Sequence, residues 1–148
     1  YRQTINMTEE SITTAQVEIE KFQNGLKQAH LKLQLRGQQS AVIDQELYSS
    51  FLSAMEDDLN TPNAIVTLFE GLKKLNQLVR VKEIDVDLLS SVYNFLVKGL
   101  YILGIDFNLV PMKKEDINLY QQWTDAKKEK NFDLADKLRN SLVEIGIL

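Results

Sequence analysis

Residues 51–76 read FLSAMEDDLNTPNAIVTLFEGLKKLN. One helix ends and another begins within this stretch. Upstream, Leu47, Phe51 and Met55 share one helical face, so a helix is expected from near Asp44 to about Asp57. The acids and Asn60 break the pattern. Thr61 followed by Pro62 predicts an N-cap at Thr61 with proline at the first helical position. From there Ile65, Leu68, Leu72, Leu75 and Val79 recur at spacings of three and four, the period of an amphipathic helix. Two such stripes joined by a short turn must bury their faces against each other or against further helices.

Those further helices are legible on both sides. Toward the N-terminus, Ile12, Ala15, Ile19, Phe22, Leu26, Ala29 and Leu33 form one long stripe. Thr8 is the candidate cap, Glu9 and Glu10 suit the positive end of the helix dipole, and Gly37 is the stop. RGQQSAVI (36–43) reads as a loop. Toward the C-terminus, Asp85 or Asp87 caps a helix that carries Leu89, Val92, Leu96 and Leu103, with Phe95 and Leu100 beside them and Gly104 as its stop. Residues 105–116 read as a linker, from Pro111 and the charges. The remainder reads as a helical hairpin. Its first arm runs from about Glu115 to Glu129, with Ile117, Tyr120 and Trp123 inward. Its second starts near Phe132, with Ala135, Leu138, Leu142 and Ile145 inward. Tyr120 and Trp123 are expected to form a small core between hairpin and bundle. No stretch alternates as a strand does. The expected fold is all-α: an antiparallel four-helix bundle over residues 1–110, then an appended hairpin over 111–148.

Composition bounds the function. The chain has 148 residues, 44% of them hydrophobic, enough to bury a core. There is no cysteine, hence no disulfide framework and no thiolate metal site; a reducing, cytosolic setting is compatible. No apolar run reaches the length of a membrane span. The net charge of −4 falls entirely on residues 1–112, while 113–148 are neutral. A basic nucleic-acid footprint over the whole chain is absent, so any such contact is expected in the C-terminal segment. The chain begins at Tyr1 and reads as a piece of something longer.

Catalytic chemistry finds little to build on. The single histidine, His30, lies off the apolar stripe of its helix and is expected to be solvated. No serine sits in a nucleophile elbow and no glycine-rich phosphate loop exists. Glu56, Asp57 and Asp58 are the densest carboxylates, but successive residues at a helix end point in different directions. Bonding of Asp57 or Asp58 to the turn before Pro62 is the simpler expectation. Phe132, between Lys130, Asn131 and Asp133, suits either a core contact at the turn or an exposed stacking platform.

Three stretches together resemble the C-terminal part of cysteinyl-tRNA synthetases. They are YRQTINMTEESITTA (1–15), FLSAMEDDLNTPNAIVTLFEGLKKLN (51–76) and AKKEKNFDLADKLRNSLVEIGI (126–147). The second is similar to that family's F-x-x-A-M-D-D-D-F-N-T-P-E-A block. The third is similar to its R-x-x-K-D-W/F-x-x-A-D-x-x-R-x-x-L-x-x-x-G-I block. The three stand in the family's order and span essentially the whole chain, from residue 1 to residue 147.

The resemblance implies a DALR-type helical bundle followed by part of a small anticodon-binding domain. Its partners would be tRNA-Cys and the catalytic domain of the same chain. It also implies a cytoplasmic protein, expected to be monomeric, with no membrane partner. The family's anticodon-contacting arginine, tryptophan and aspartate fall on Lys127, Phe132 and Asp136. Lys128, Lys130, Lys137 and Arg139 are candidates for contacts to the RNA backbone, and Lys73 and Lys74 for contacts to the tRNA stem. The family's ATP signatures and zinc-binding cysteines are not in this sequence. ATP and zinc are therefore expected in a catalytic domain upstream of Tyr1, and no cofactor or enzymatic activity is expected of this chain alone. The basic tail of many bacterial members, expected beyond Leu148, is missing too. Two other functions compete. One is a helical protein-interaction bundle with no RNA role, suggested by the acidic surface. The other is a related ligase that joins cysteine to an amino-sugar inositol, against which the intact third block counts.

Overall fold

The computed structural model describes residues 7–37 and 39–148. The start of the first resembling stretch, residues 1–6, and Gln38 of the loop lie outside them. The described chain is all-helical: α1 (Glu9–Arg36), α2 (Gln45–Glu56), α3 (Thr61–Arg80), α4 (Val86–Ile102), α5 (Lys114–Lys128) and α6 (Phe132–Glu144). It divides into two compact units, Tyr1–Leu109 and Val110–Leu148. None of the described helices is long and apolar enough to cross a membrane.

Side-chain caps set most of the helix starts. Thr8 and Ser11 form a reciprocal capping box at the start of α1, and Gly37 ends the helix in the left-handed conformation. Asp85 caps α4 through the amide of Leu88. The start of α3 differs by one residue from expectation. Asn60 is the cap, its Oδ1 accepting from the amide of Asn63 at 3.3 Å. Thr61 is the first helical residue and Pro62 the second. Asparagine is among the best capping residues, and the proline still falls in the first turn, where amides lack helical partners. The hydroxyl of Thr61 instead donates to the carbonyl of Leu59.

The first unit is a helical bundle in which α3 packs against α1, α2 and α4, while α4 also packs against α1 and α2. Its core holds Phe22, Leu26, Phe51, Leu68, Leu75, Leu89, Val92, Phe95 and Leu96. Close approach of the helices depends on glycine. A Cβ on Gly71 would stand 2.8 Å from a ring atom of Phe95, and one on Gly99 2.7 Å from a methyl of Leu68. Gly25 of α1 likewise sits under Leu72.

Polar side chains hold the connections. Asn94 donates to the carbonyls of Ser40 and Val42, at 2.7 and 3.0 Å. The hydroxyl of Ser90 accepts from the amide of Ser40. Asp44 caps α2 through the amide of Leu47 and also accepts from the Lys74 ammonium at 2.7 Å, tying α2 to α3. Among the described residues no buried side-chain nitrogen or oxygen lacks a partner.

Several expectations are corrected. Ile12, Ala15 and Ile19 are exposed, whereas Phe22, Leu26, Ala29 and Leu33 of the same stripe are buried. At 28 residues, α1 is roughly 42 Å long and outreaches the 20-residue α3. Ala15 and Ile19 border an apolar cleft of about 140 Å³ with Ile65 and Phe69 of α3 and Leu103 of α4, which leaves Ile65 partly exposed as well. His30 is half-buried rather than solvated, with Nδ1 3.3 Å from the Tyr93 hydroxyl. The expected linker begins later than Ile105: Ile105, Phe107 and Leu109 pack on the core in alternation with exposed Asp106 and Asn108.

Two outcomes test this account. Gly71→Ala forces a methyl against a ring that is fully buried. The better helix propensity of alanine offsets only part of that, so thermal or urea unfolding should show a loss on the order of 1–2 kcal/mol. Burial raises the Asp44 pKa, but the Lys74 ammonium and the amides of Leu47 and Glu46 outweigh it and hold the carboxyl below its ordinary 3.8. Such a group stabilises the fold above its unfolded-state value and loses that contribution as pH falls through the lower folded value. Asp44→Asn keeps a cap and loses the charge. It should cost about 0.5–1 kcal/mol at neutral pH, and the difference from wild type should close below pH 3.8.

Candidate nucleic-acid interface

The second unit is built from two helices and one tight turn. Asp116 accepts from the amide of Lys113 and closes the start of α5. The arms meet through Ala126, Ala135 and Leu142, all buried, with Leu138 partly buried beside them. Ile145, expected inward, is 50% exposed because α6 ends at Glu144 and Ile145 is its cap residue.

The turn between the arms has a defined form. The amide of Asn131 donates to the carbonyl of Ala126 and that of Lys130 to the carbonyl of Lys127. This is the Schellman pattern, which requires a left-handed residue just past the cap. The same bonding ends α4 at Gly104 and α6 at Gly146. At the end of α5 that position is Lys130, with φ of +58°. A side chain there costs on the order of 1 kcal/mol relative to glycine. The next residue, Asn131, caps α6 through the amide of Leu134 and makes Phe132 the first helical residue.

Phe132 is 66% exposed and is not a core residue. Helical geometry at about 100° per residue puts Phe132, Asp136, Arg139 and Val143 on one stripe of α6. All four are exposed, and the buried or half-buried Ala135, Leu138 and Leu142 lie roughly 100° around the helix from it. Lys137 is rotated off that stripe by about 100° or more. The stripe thus presents a ring, an acceptor and a guanidinium in successive turns. Arg139 shares it with Phe132, a grouping that the motif comparison alone did not single out; the spacing of seven residues was the available signal.

On α5, Asp116, Tyr120, Trp123 and Lys127 share a stripe. The Lys127 ammonium lies 3.6 Å from the centroid of the Trp123 ring. Tyr120 makes a T-shaped contact with the same indole, centroids 5.3 Å apart. Burial raises the pKa of the Tyr120 phenol. Trp123, expected only as packing, is partly buried and carries a cation. Lys128 and Lys130 are exposed at the turn. In the first unit Lys73 is exposed, while the ammonium of Lys74 is held by Asp44. Glu56, Asp57 and Asp58 are exposed at the end of α2, with Asp58 and Leu59 both left-handed.

Comparison with known proteins gives this geometry a context. Residues 50–108, which take in α3, α4 and the last turns of α2, match the sequence profile of the DALR domain. The particular relatives are cysteine–tRNA ligases, with which the whole chain aligns. It is 28% identical to that of Pediococcus pentosaceus, spanning 33% of its length. It is 32% identical to that of Mesoplasma florum, spanning 34%, and 32% identical to that of Acinetobacter baumannii, spanning 33%. The chain is homologous over its full length to about a third of these curated relatives. No solved structure matches it.

The turn makes a prediction of its own. Lys130→Gly should raise stability by about 0.5–1 kcal/mol in thermal unfolding, because glycine takes the left-handed position without strain.

Proposed function

We propose that this chain is the tRNA-binding C-terminal region of a cysteine–tRNA ligase, positioning tRNA-Cys and reading part of its anticodon through the hairpin. The observation that carries this reading is the exposed Phe132–Asp136 pair on α6, in a chain that aligns end to end with such ligases. RNA is read in sequence chiefly at unstacked bases, which stack on aromatic faces and bond along their edges. Phe132 supplies a face, worth about 1–3 kcal/mol per stacked base. Asp136 is an acceptor for an amino group or ring N–H of a base. Lys127 supplies a donor. Lys128, Lys130 and Arg139 neutralise phosphates, which adds affinity without sequence choice; Lys137, turned from the stripe, reaches only RNA that wraps the hairpin. Lys73 is the better placed of the two α3 lysines for a stem contact, since Lys74 would have to share its ammonium with Asp44.

Aminoacylation itself belongs to another part of the polypeptide in this reading. This chain's donor set does not fit zinc. It has no cysteine and one histidine, and among the described residues no three His, Cys, Asp or Glu side chains converge. ATP and zinc are assigned to the catalytic part, and the protein to the cytoplasm as a monomer. The exposed Ile12, Val17 and Ile19 of α1 favour a second role for the bundle, as a surface for protein contact.

The test is binding of an RNA stem-loop carrying the cysteine anticodon GCA, against loops with each base changed, at fixed salt. The GCA loop should bind tightest. Phe132→Ala should weaken it by roughly tenfold while shifting stability by less than about 0.5 kcal/mol, as expected of an exposed residue. Equal binding of every loop would overturn the base-reading function. Salt-insensitive binding to a protein partner, with no RNA bound, would favour the protein-contact role instead.

A further inference from the structure

Trp123 is the one tryptophan of the chain, and its ring seats the Lys127 ammonium at 3.6 Å. Tyr120, Trp123 and Lys127 stand at i, i+3 and i+7, so the helix period alone builds this ladder. The T-shaped contact from Tyr120 and the partial burial of both aromatics restrict the indole. An ammonium over an indole face is held by the ring quadrupole, and tryptophan is the strongest aromatic partner for it. A free lysine is a point charge on a flexible stem. That suits a phosphate, which any RNA offers. A seated lysine has a fixed direction and can be aimed at the edge of one base. We propose that Trp123 is a positioning residue of the RNA site, seating Lys127 so that it acts as a base-edge donor and contributes to anticodon preference. The proposal rests on the anticodon-reading function above. It separates two lysines that composition does not distinguish: Lys127 has an aromatic seat, whereas Lys128, one residue on, points about 100° away.

Two measurements on the 148-residue chain test it. The first needs no RNA. Because Trp123 is the sole tryptophan, its emission reports the seat directly. Lys127→Met should shift the emission maximum and change quenching by iodide, while Lys128→Met should do neither. Identical spectra for wild type and Lys127→Met would overturn the proposal. The second uses the GCA stem-loop and a loop with its guanine changed. Trp123→Leu should reduce the preference for GCA by about three- to tenfold. Trp123→Phe, which keeps a ring face, should retain most of it and guards against loss of folding. The salt dependence of binding should stay the same in both variants, since the number of cations is unchanged. If Trp123→Leu keeps the wild-type preference while Lys127→Met loses it, the lysine reads without its seat and the proposal fails alone. If the spectra shift as expected but wild type prefers no loop, the anticodon-reading function fails, and the role assigned to the seat falls with it.

Discussion

The bundle rests on a reciprocal interlock between α3 and α4. Gly71 of α3 leaves the space that the ring of Phe95 fills, and Gly99 of α4 leaves the space that Leu68 fills. Each helix provides both a knob and the hollow for the other's knob, so neither can shift along its axis without collision. Phe95 also meets Phe51 in a T-shaped contact, which carries the interlock to α2. Leu72, one position from Gly71, fills the hollow at Gly25 and carries it to α1. Close-packed interiors transmit such constraints because they have no slack volume to absorb them.

Polar contacts then fix what packing leaves undetermined. The loop before α2 has little apolar mass of its own, and Ser90 and Asn94 of α4 hold its backbone in place. Asp44 joins a helix cap to an interhelical ion pair, so α2 starts where α3 can hold it. The alternating segment Ile105, Phe107, Leu109 closes the unit without a helix. Among the described residues Ile12 and Val17 of α1 stay exposed, and Ala15 and Ile19 border an open apolar cleft with Ile65.

The hairpin follows another logic. It has few large buried side chains, and its form depends on one turn. Left-handed Lys130 lets the chain reverse, Asn131 restarts it, and Phe132 is thereby placed at the exposed start of α6. A glycine at position 130 would make the same turn with less strain, as Gly104 and Gly146 do elsewhere in this chain. Lysine there keeps a positive charge in the turn, two residues before Phe132. Strain tolerated next to a candidate binding face is the relation expected where sequence serves recognition as well as folding.

The sequence by itself determined the helices, their order and most of their caps, because period and capping are local properties of a few neighbouring residues. It also determined which residue types the third block offers, and the similarity to cysteine–tRNA ligases. Tertiary structure decided which turns of α1 are covered, since burial depends on a partner's length and not on the stripe itself. It decided that His30 meets Tyr93 across 63 positions and that Lys74 is spent on Asp44. It decided that Phe132 is a surface ring: an aromatic at a helix start fits a core as well as a surface until the packing beneath it is known. The ladder of Tyr120, Trp123 and Lys127 lay in the spacing all along, but the seating of the cation on the indole depends on side-chain torsions, which spacing alone does not specify.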